Sequence, residues 1–221
     1  MFTNGLADVD AVLTTRELGR LIRRSGINFA KLPDEDFDND IVHDYTGAGV
    51  IFGVTGGVME AALRTVYYVL TGEEHEKIAF EQVRGLEGIR EASLDINGTT
   101  VNVAIANGMK NAKVLLDDIR VGKSKYHFIE IMGCPGGCIN GGGQPYVRSV
   151  FLPDEDADIM DTYIQKRASA LYSEDERQVI RQSHNNPQIK ALYDEFLGEP
   201  NSHTAHHLLH THYQAREGFN D

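Results

Sequence analysis

The sequence of 221 residues has little of what several classes of protein require. Its two cysteines are too few to stabilise a secreted fold with a set of disulfides. Acidic residues outnumber basic ones by 33 to 21, and the net charge of −12 argues against binding to nucleic acid or to an anionic membrane. No apolar run approaches about 18 residues, and the first residues lack the basic and apolar regions of a signal peptide. We therefore expect a cytoplasmic protein with no nucleic-acid partner and no membrane partner.

The chain does contain the short apolar runs, turn signals and helical periodicity of a globular fold, and 41% of its residues are hydrophobic. Thr14 and Glu17 have the spacing of a capping box that opens a helix, and Asn97-Gly98 is a strong hairpin signal. The predicted strands cover residues 8–14, 50–54, 92–96, 99–105 and 126–131, and two further predicted helices cover residues 57–70 and 111–119. This alternation predicts an α/β architecture, a mixed sheet flanked by helices.

From residue 156 onward every strong signal is helical. Ser173 and Glu176 form a second capping-box spacing, and Asn186 precedes a proline at a first helical position. A last helix is predicted over residues 202–215. We expect these helices to form an all-helical C-terminal wrap on the α/β lobe rather than an independent domain.

Both cysteines, Cys134 and Cys138, lie four residues apart in a glycine-rich segment that follows the last predicted strand. Thiolates are preferred ligands of the iron in iron-sulfur clusters, and glycine lets the backbone approach a bulky cluster closely. The ends of strands in open α/β sheets are common places for ligand sites. The pair alone remains compatible with an inert or redox pair of thiols.

The whole phrase from Met132 to Pro145 resembles the third active-site motif of the iron-only hydrogenases. Residues 10–18, 51–64 and 126–130 resemble other segments of that family's catalytic domain, and the chain from Arg167 onward is similar to its small-subunit region. The ending is most similar to the soluble, NAD-linked members. The resemblance implies two regions: residues 1–152 as the C-terminal lobe of the large-subunit catalytic domain, and residues 153–221 as a small-subunit-like helical region.

The resemblance also implies a role for individual residues. Cys134 corresponds to a ligand of a 4Fe-4S cubane, and Cys138 to the cysteine that bridges the cubane to a two-iron subcluster. The two parts together form the H-cluster. Met132 corresponds to a methionine near the two-iron centre, although a core methionine is equally consistent. Four consecutive residues correspond to the wall on the diatomic-ligand side of the pocket: Phe52, Gly53, Val54 and Thr55.

The family's full site needs further cysteines from two upstream motifs, and this sequence has none. We therefore expect a fragment of a longer hydrogenase whose partner is the N-terminal remainder of the subunit. Half of a split enzyme and a decayed gene stay as alternatives. The resemblance further implies ferredoxin or NADH-oxidising subunits as electron-transfer partners.

The leading hypothesis is thus the C-terminal part of a hydrogenase catalytic subunit, which reduces protons reversibly and is incomplete, and so inactive, on its own. The rivals are a non-catalytic iron-sulfur scaffold of cluster assembly and an H-cluster sensor, both related to hydrogenases. Two other patterns have plainer interpretations. Glu60 and Arg64 have the i,i+4 spacing of a surface ion pair. His206 and His210 have the spacing of zinc ligands, but the family binds no metal there, and we expect none.

Overall fold

Three strands form a mixed sheet at the centre of the chain. The computed structural model describes residues 2–3, 6–7, 9–36, 43–74, 83–85, 88–146 and 156–210. Its strands and helices in chain order are β1 (Phe2–Thr3), β2 (Leu6–Ala7), α1 (Thr15–Arg24), α2 (Gly47–Ile51), α3 (Gly57–Thr71), β3 (Ile89–Ile96), β4 (Thr99–Asn107), α4 (Met109–Arg120), β5 (Phe128–Met132), α5 (Asp156–Arg177), α6 (Pro187–Leu192) and α7 (His203–Leu209). None of the helices in these described ranges has the length and apolar character to cross a membrane.

The sheet has the order β3-β4-β5, with an antiparallel pair followed by a parallel pair. Asn97 and Gly98 have φ angles of 53° and 78°, the two positive values that a tight type I′ hairpin turn needs, so β3 and β4 pair directly. Helix α4 connects β4 to β5 and makes their parallel pairing possible. The predicted α/β fold with a mixed sheet is confirmed.

Strand β4 is buried on both faces and separates two apolar clusters. Val103 and Ile105 point to one face, where they pack with Met59 and Leu63 of α3. On the other face, alanines of β4 pack against α4 through Ala104, Ala106, Ala112 and Leu115. The middle strand therefore carries most of the core and fixes α3 and α4 on opposite sides of the sheet.

The C-terminal helices pack on this lobe, as expected. Ile164 of α5 lies in a buried cluster with Val54 and Ile139, and the Arg167 guanidinium donates to the Ile139 carbonyl over 2.9 Å. Asn186 caps α6 by accepting from the N–H groups of residues 188 and 189, which confirms that start. The last helix ends at Leu209, and residues 211–215 of the predicted helix lie outside the described residues.

Two strand predictions and one helix start were wrong. Residues 9–14 form no strand, and the predicted strand at 50–54 overlaps helix α2, whose Thr46 hydroxyl accepts from Gly49 N–H over 3.1 Å. Ser173 starts no helix because α5 continues without a break to Arg177. The capping box at Thr14 is confirmed, with its hydroxyl accepting from Glu17 N–H.

Candidate cofactor site

The cysteines lie in a loop, residues 133–141, that leaves the carboxyl end of β5. We call this segment the cysteine loop. Cys134 and Cys138 are both exposed, and neither forms a disulfide. Met132, the last residue of β5, is half-buried, and its carbonyl accepts from Gly108 N–H over 2.8 Å. The position of the cysteines at the end of a strand is as predicted.

Residues 52–55, which we call the wall segment, connect α2 to α3. Val54 and Thr55 are buried, Gly53 is half-buried, and the Phe52 side chain is 47% exposed. The backbone turns here instead of extending, because α2 and α3 follow each other after only five residues. Gly56 has a φ of +87°, a left-handed conformation that favours glycine at the start of α3.

Main-chain hydrogen bonds hold the wall segment and the cysteine loop against each other. Thr55 N–H donates to the Gly136 carbonyl over 3.2 Å, and Ile139 N–H donates to the Gly53 carbonyl over 3.2 Å. Gly137 has a φ of +98°, and a Cβ atom there would lie 2.5 Å from the Gly53 oxygen. The structure thus brings together two segments that are about 80 residues apart in sequence.

Two buried polar residues at this junction were not among the predicted site residues. Glu130 of β5 is 5% exposed and accepts 2.7 Å hydrogen bonds from Gly56 N–H and Met59 N–H, at the start of α3. Burial raises the pKa of Glu130 above its usual value, against the opposing effect of these two bonds. A glutamate inside the apolar run 128–132 was the signal that could have identified it.

The second such residue is Asn107, which ends β4 and is 8% exposed. Its side-chain oxygen accepts from the Thr55 hydroxyl over 3.3 Å and from Gly136 N–H over 3.0 Å. One acceptor therefore binds the wall segment and the cysteine loop. Its position at the end of a strand, beside Met132 in the parallel register, was a usable signal.

The predicted surface ion pair between Glu60 and Arg64 is instead fully buried. The Arg64 guanidinium binds Glu60 at 2.7 Å and Asp175 of α5 at 2.8 Å, and all three side chains have 0% exposure. The i,i+4 spacing was right, but the solvent-exposed location was wrong, because α5 covers this face of α3. Sequence spacing gives no sign of Asp175, which is 111 residues away.

Two further arginines complete this group, which we call the ion cluster: Glu60, Arg64, Arg84, Asp175 and Arg181. Arg84 binds Glu60 at 2.7 Å, and Arg181 binds Asp175 at 2.6 Å. Burial acts to raise the pKa of Asp175, but hydrogen bonds from Arg64 and Arg181 outweigh it and hold that pKa below its usual value. The ion cluster therefore links α3 to the C-terminal helices through paired charges.

The histidines near the C-terminus lie on α7 and at its end. The rings of His206 and His210 stack with centroids 4.8 Å apart, and those of His203 and His207 with centroids 6.4 Å apart. All four side chains are exposed. His212 lies outside the described residues.

The cysteine loop offers two sulfur donors. In the described ranges no group of three or more His, Cys, Asp and Glu side chains is arranged to hold a metal ion. Two exposed thiols on one glycine-rich loop nevertheless fit one side of an iron-sulfur cluster. The loop is tight beside them, because a Cβ atom at Gly141 would lie 3.3 Å from the Cys138 carbonyl oxygen and 3.9 Å from the Cys134 sulfur. A complete set of ligands would need sulfur atoms from elsewhere.

Comparisons with known proteins agree on one family. A family model described as "Iron only hydrogenase large subunit, C-terminal domain" matches residues 1–142, and one for "Iron hydrogenase small subunit" matches residues 161–216. The NADP-reducing hydrogenase subunit HndD of Solidesulfovibrio fructosivorans is 48% identical over 97% of this chain and 34% of its own length. Iron hydrogenase 1 of Clostridium pasteurianum is 45% identical over 97% of this chain and 36% of its own length.

The chain thus spans about a third of the length of these curated relatives. Protein NAR1 of Arabidopsis thaliana is more distant, with 32% identity over 94% of the chain and 43% of its own length. Among solved structures, a variant of FeFe-hydrogenase HydA1 from Chlamydomonas reinhardtii matches with a TM-score of 0.66 and 42% identity. That match covers 93% of this chain and 55% of the solved one.

Proposed function

Since the chain belongs to the iron-only hydrogenase family, we propose that it forms part of a hydrogenase catalytic subunit, which reduces protons and oxidises hydrogen reversibly at an H-cluster. The observation that carries this proposal is the contact between the cysteine loop and the wall segment. The proposal divides the chain into a large-subunit lobe, residues 1–152, and a small-subunit-like region, residues 153–221. The two family matches at 1–142 and 161–216 support that division.

In this proposal Cys134 binds the 4Fe-4S cubane, and Cys138 bridges the cubane to the two-iron subcluster. Both thiols are exposed and free of disulfides, which a cluster ligand requires. When bound, the cluster would accept and pass on electrons and would supply the iron at which protons and hydrogen react. The chain's own contribution is to hold the two sulfur atoms on a loop that is tied to the sheet.

In this proposal the wall segment and Met132 shape the pocket and exclude water from it. Val54 and Thr55 are buried, so the surface that the segment presents consists of Gly53 and the ring of Phe52. An apolar, glycine-lined surface excludes water and leaves space for diatomic ligands on iron. Met132 lies half-buried at the same end of the sheet and adds a polarizable thioether.

We further propose that the remaining cluster ligands come from an N-terminal portion of a hydrogenase subunit, and that electrons come from ferredoxin or from NADH-oxidising subunits. The length of the relatives supports the first point, because this chain matches only about a third of each. A cytoplasmic location accords with the reduced thiols that cluster binding needs.

The decisive experiment joins this chain with a polypeptide that carries the N-terminal portion of the Solidesulfovibrio fructosivorans relative, under anaerobic maturation of the cluster. We expect hydrogen evolution and infrared bands of iron-bound carbon monoxide. Cys138→Ala should abolish both, whereas Gly133→Ala, in open space on the same loop, should retain them. Bands and activity that survive Cys138→Ala would reject the proposal.

The second candidate is a non-catalytic role in iron-sulfur cluster assembly. The similarity to cytosolic iron-sulfur assembly component 3 of Rattus norvegicus, which is 28% identical over 96% of this chain and 43% of its own length, favours it. Assembly factors need a cubane but no diatomic ligands, so the infrared spectrum separates the two. Iron and sulfide bound to the joined polypeptides without carbon monoxide bands would favour the assembly role.

A further inference from the structure

Asn107 ends β4, beside the end of β5 from which the cysteine loop leaves the sheet. It pairs in register with Met132, and Gly108 N–H donates to the Met132 carbonyl over 2.8 Å. The main chain of Asn107 is itself fixed, because its N–H donates to the Gly88 carbonyl over 2.8 Å and its carbonyl accepts from the Asn111 side chain over 2.7 Å. These two main-chain hydrogen bonds therefore fix the position from which the Asn107 side chain extends.

The side chain of Asn107 uses one oxygen for both segments. Gly136 N–H can only donate, so the atom 3.0 Å away must be the amide oxygen, and this contact determines the orientation of the amide group. The same oxygen accepts from the Thr55 hydroxyl over 3.3 Å. A carbonyl oxygen has two lone pairs and can take both bonds at once.

The wall segment and the part of the cysteine loop around Gly136 belong to no helix or strand that could set their position. Residues 52–55 form turns and a bend, and Gly136 lies in a turn, whereas Ile139 belongs to the short 3-10 helix Cys138–Asn140. Their direct hydrogen bonds are between main-chain atoms at Thr55 and Gly136 and at Ile139 and Gly53. Asn107, which belongs to the sheet, is therefore the side chain that links both Thr55 and Gly136 to the sheet.

We propose that Asn107 is a positioning residue that sets the separation between the wall segment and the cysteine loop. This inference rests on the proposed function, because the separation matters when the loop carries a cluster and the wall faces it. Asn107 acts through Thr55 and Gly136 and needs no contact with the cluster.

Three variants of the full, metal-free chain test this role. Asn107→Leu has a similar volume and no acceptor, so Thr55 and Gly136 lose a common partner. Asn107→Asp keeps an oxygen in the same place and serves as the conservative variant. Asn102→Leu is the matched control, because Asn102 lies on the same strand and binds Ser93, away from both segments.

The readouts are amide hydrogen exchange of residues 53–57 and 134–139 and urea unfolding. In Asn107→Leu we expect exchange at Gly136 to accelerate about tenfold beyond any change in global unfolding. Asn107→Asp should restore protection of Gly136, and Asn102→Leu should match the wild-type chain at both segments.

Two results would overturn the inference. One is equal exchange in Asn107→Leu and Asn102→Leu, and the other is a uniform acceleration of all amides that the loss of global stability explains. Because these measurements use no metal, they are separate from the proposed function. Absence of carbon monoxide bands from the joined polypeptides would reject the hydrogenase assignment and leave the exchange result valid.

Discussion

At the scale of single residues, the site depends on a glycine without a side chain as much as on the side chains around it. Gly137 passes so close to the Gly53 carbonyl that any side chain would force the two segments apart. Glu130 and Asn107 then supply the polar partners for the main-chain and hydroxyl donors that surround this contact. The motif around the cysteines was recognisable in the sequence. Glu130 and Asn107 were not predicted as site residues, because their hydrogen-bond partners are distant in sequence.

Gly137→Ala should destabilise the chain by about 3 kcal/mol, because it combines a strained left-handed backbone with a clash against the Gly53 oxygen. Urea unfolding measures this loss. Gly133→Ala serves as the control, since nothing lies within 4 Å of a Cβ atom at Gly133. Equal unfolding midpoints for the two variants would contradict the close approach.

Glu130→Gln should destabilise the chain by about 2 kcal/mol at acid pH, because both oxygens of the protonated carboxyl still have lone pairs for the donors at Gly56 and Met59, whereas an amide can accept from only one of them. The pKa of Glu130 is raised in the folded chain, so the folded state holds the proton more tightly than the unfolded state. The stabilisation is therefore complete below the unfolded pKa of glutamate and declines as pH rises through the folded one.

Urea unfolding over a series of pH values measures the difference between the wild-type chain and Glu130→Gln. This difference should shrink as pH rises above the ordinary glutamate pKa. Glu91→Gln, an exposed position on β3, is the control and should give a small difference at every pH. A difference for Glu130→Gln that grows with pH would show that folding lowers the pKa of Glu130 instead of raising it.

At the scale of elements, local chemistry decides some boundaries and distant contacts decide others. The hairpin at Asn97-Gly98 and the cap of α6 at Asn186 were predictable because turn and cap residues act within a few positions. Ser173 has a local capping signal too, but no helix starts there. The turn that contains it is held inside α5 by the hydrogen bonds of Asp175 to Arg64 and Arg181. The helical residues 50–51 were mistaken for a strand because their short apolar run has no distinctive period.

Asp175→Asn should destabilise the chain by about 3 kcal/mol at neutral pH, since it removes the buried carboxylate that Arg64 and Arg181 share. Asp161→Asn makes the same change at an exposed position of α5 and should alter stability little. Urea unfolding of both variants is the measurement.

The pH dependence of Asp175→Asn follows from the lowered pKa of Asp175 in the folded chain. Its stabilisation is present above the unfolded pKa of aspartate and is lost as pH falls through the folded value. The gap between the wild-type chain and Asp175→Asn should therefore close in acid. A gap that is constant down to the lowest accessible pH would argue against paired charge as its origin.

At the scale of the whole molecule, the regions that match the large-subunit and the small-subunit family models form a shared interior. The C-terminal region covers the wall segment and the cysteine loop through Ile164 and Arg167, and it supplies Asp175 to the ion cluster. The architecture, a mixed sheet with a helical wrap, was predictable from the sequence. The buried charges at the junction were not, because their members come from three distant parts of the chain.

A chain cut after residue 150, with both pieces produced together, should remain associated, since apolar packing and buried ion pairs join them. Asp175→Asn in the C-terminal piece should weaken the association by about a hundredfold. Co-elution on size exclusion and titration of one labelled piece with the other measure this. Pieces that separate when unmodified, or an affinity unchanged by Asp175→Asn, would contradict the prediction.

The hydrogen bonds between the wall segment and the cysteine loop join main-chain atoms on both sides, and every amino acid except proline supplies such atoms. A change of side chain at position 55 or 139 therefore leaves these two bonds possible and removes only the contacts of that side chain, which are the hydroxyl bond to Asn107 or the packing against Val54 and Ile164. Proline is different, because it removes the N–H donor itself at either position. The path of the main chain between the two segments thus tolerates substitutions that the individual side-chain contacts do not.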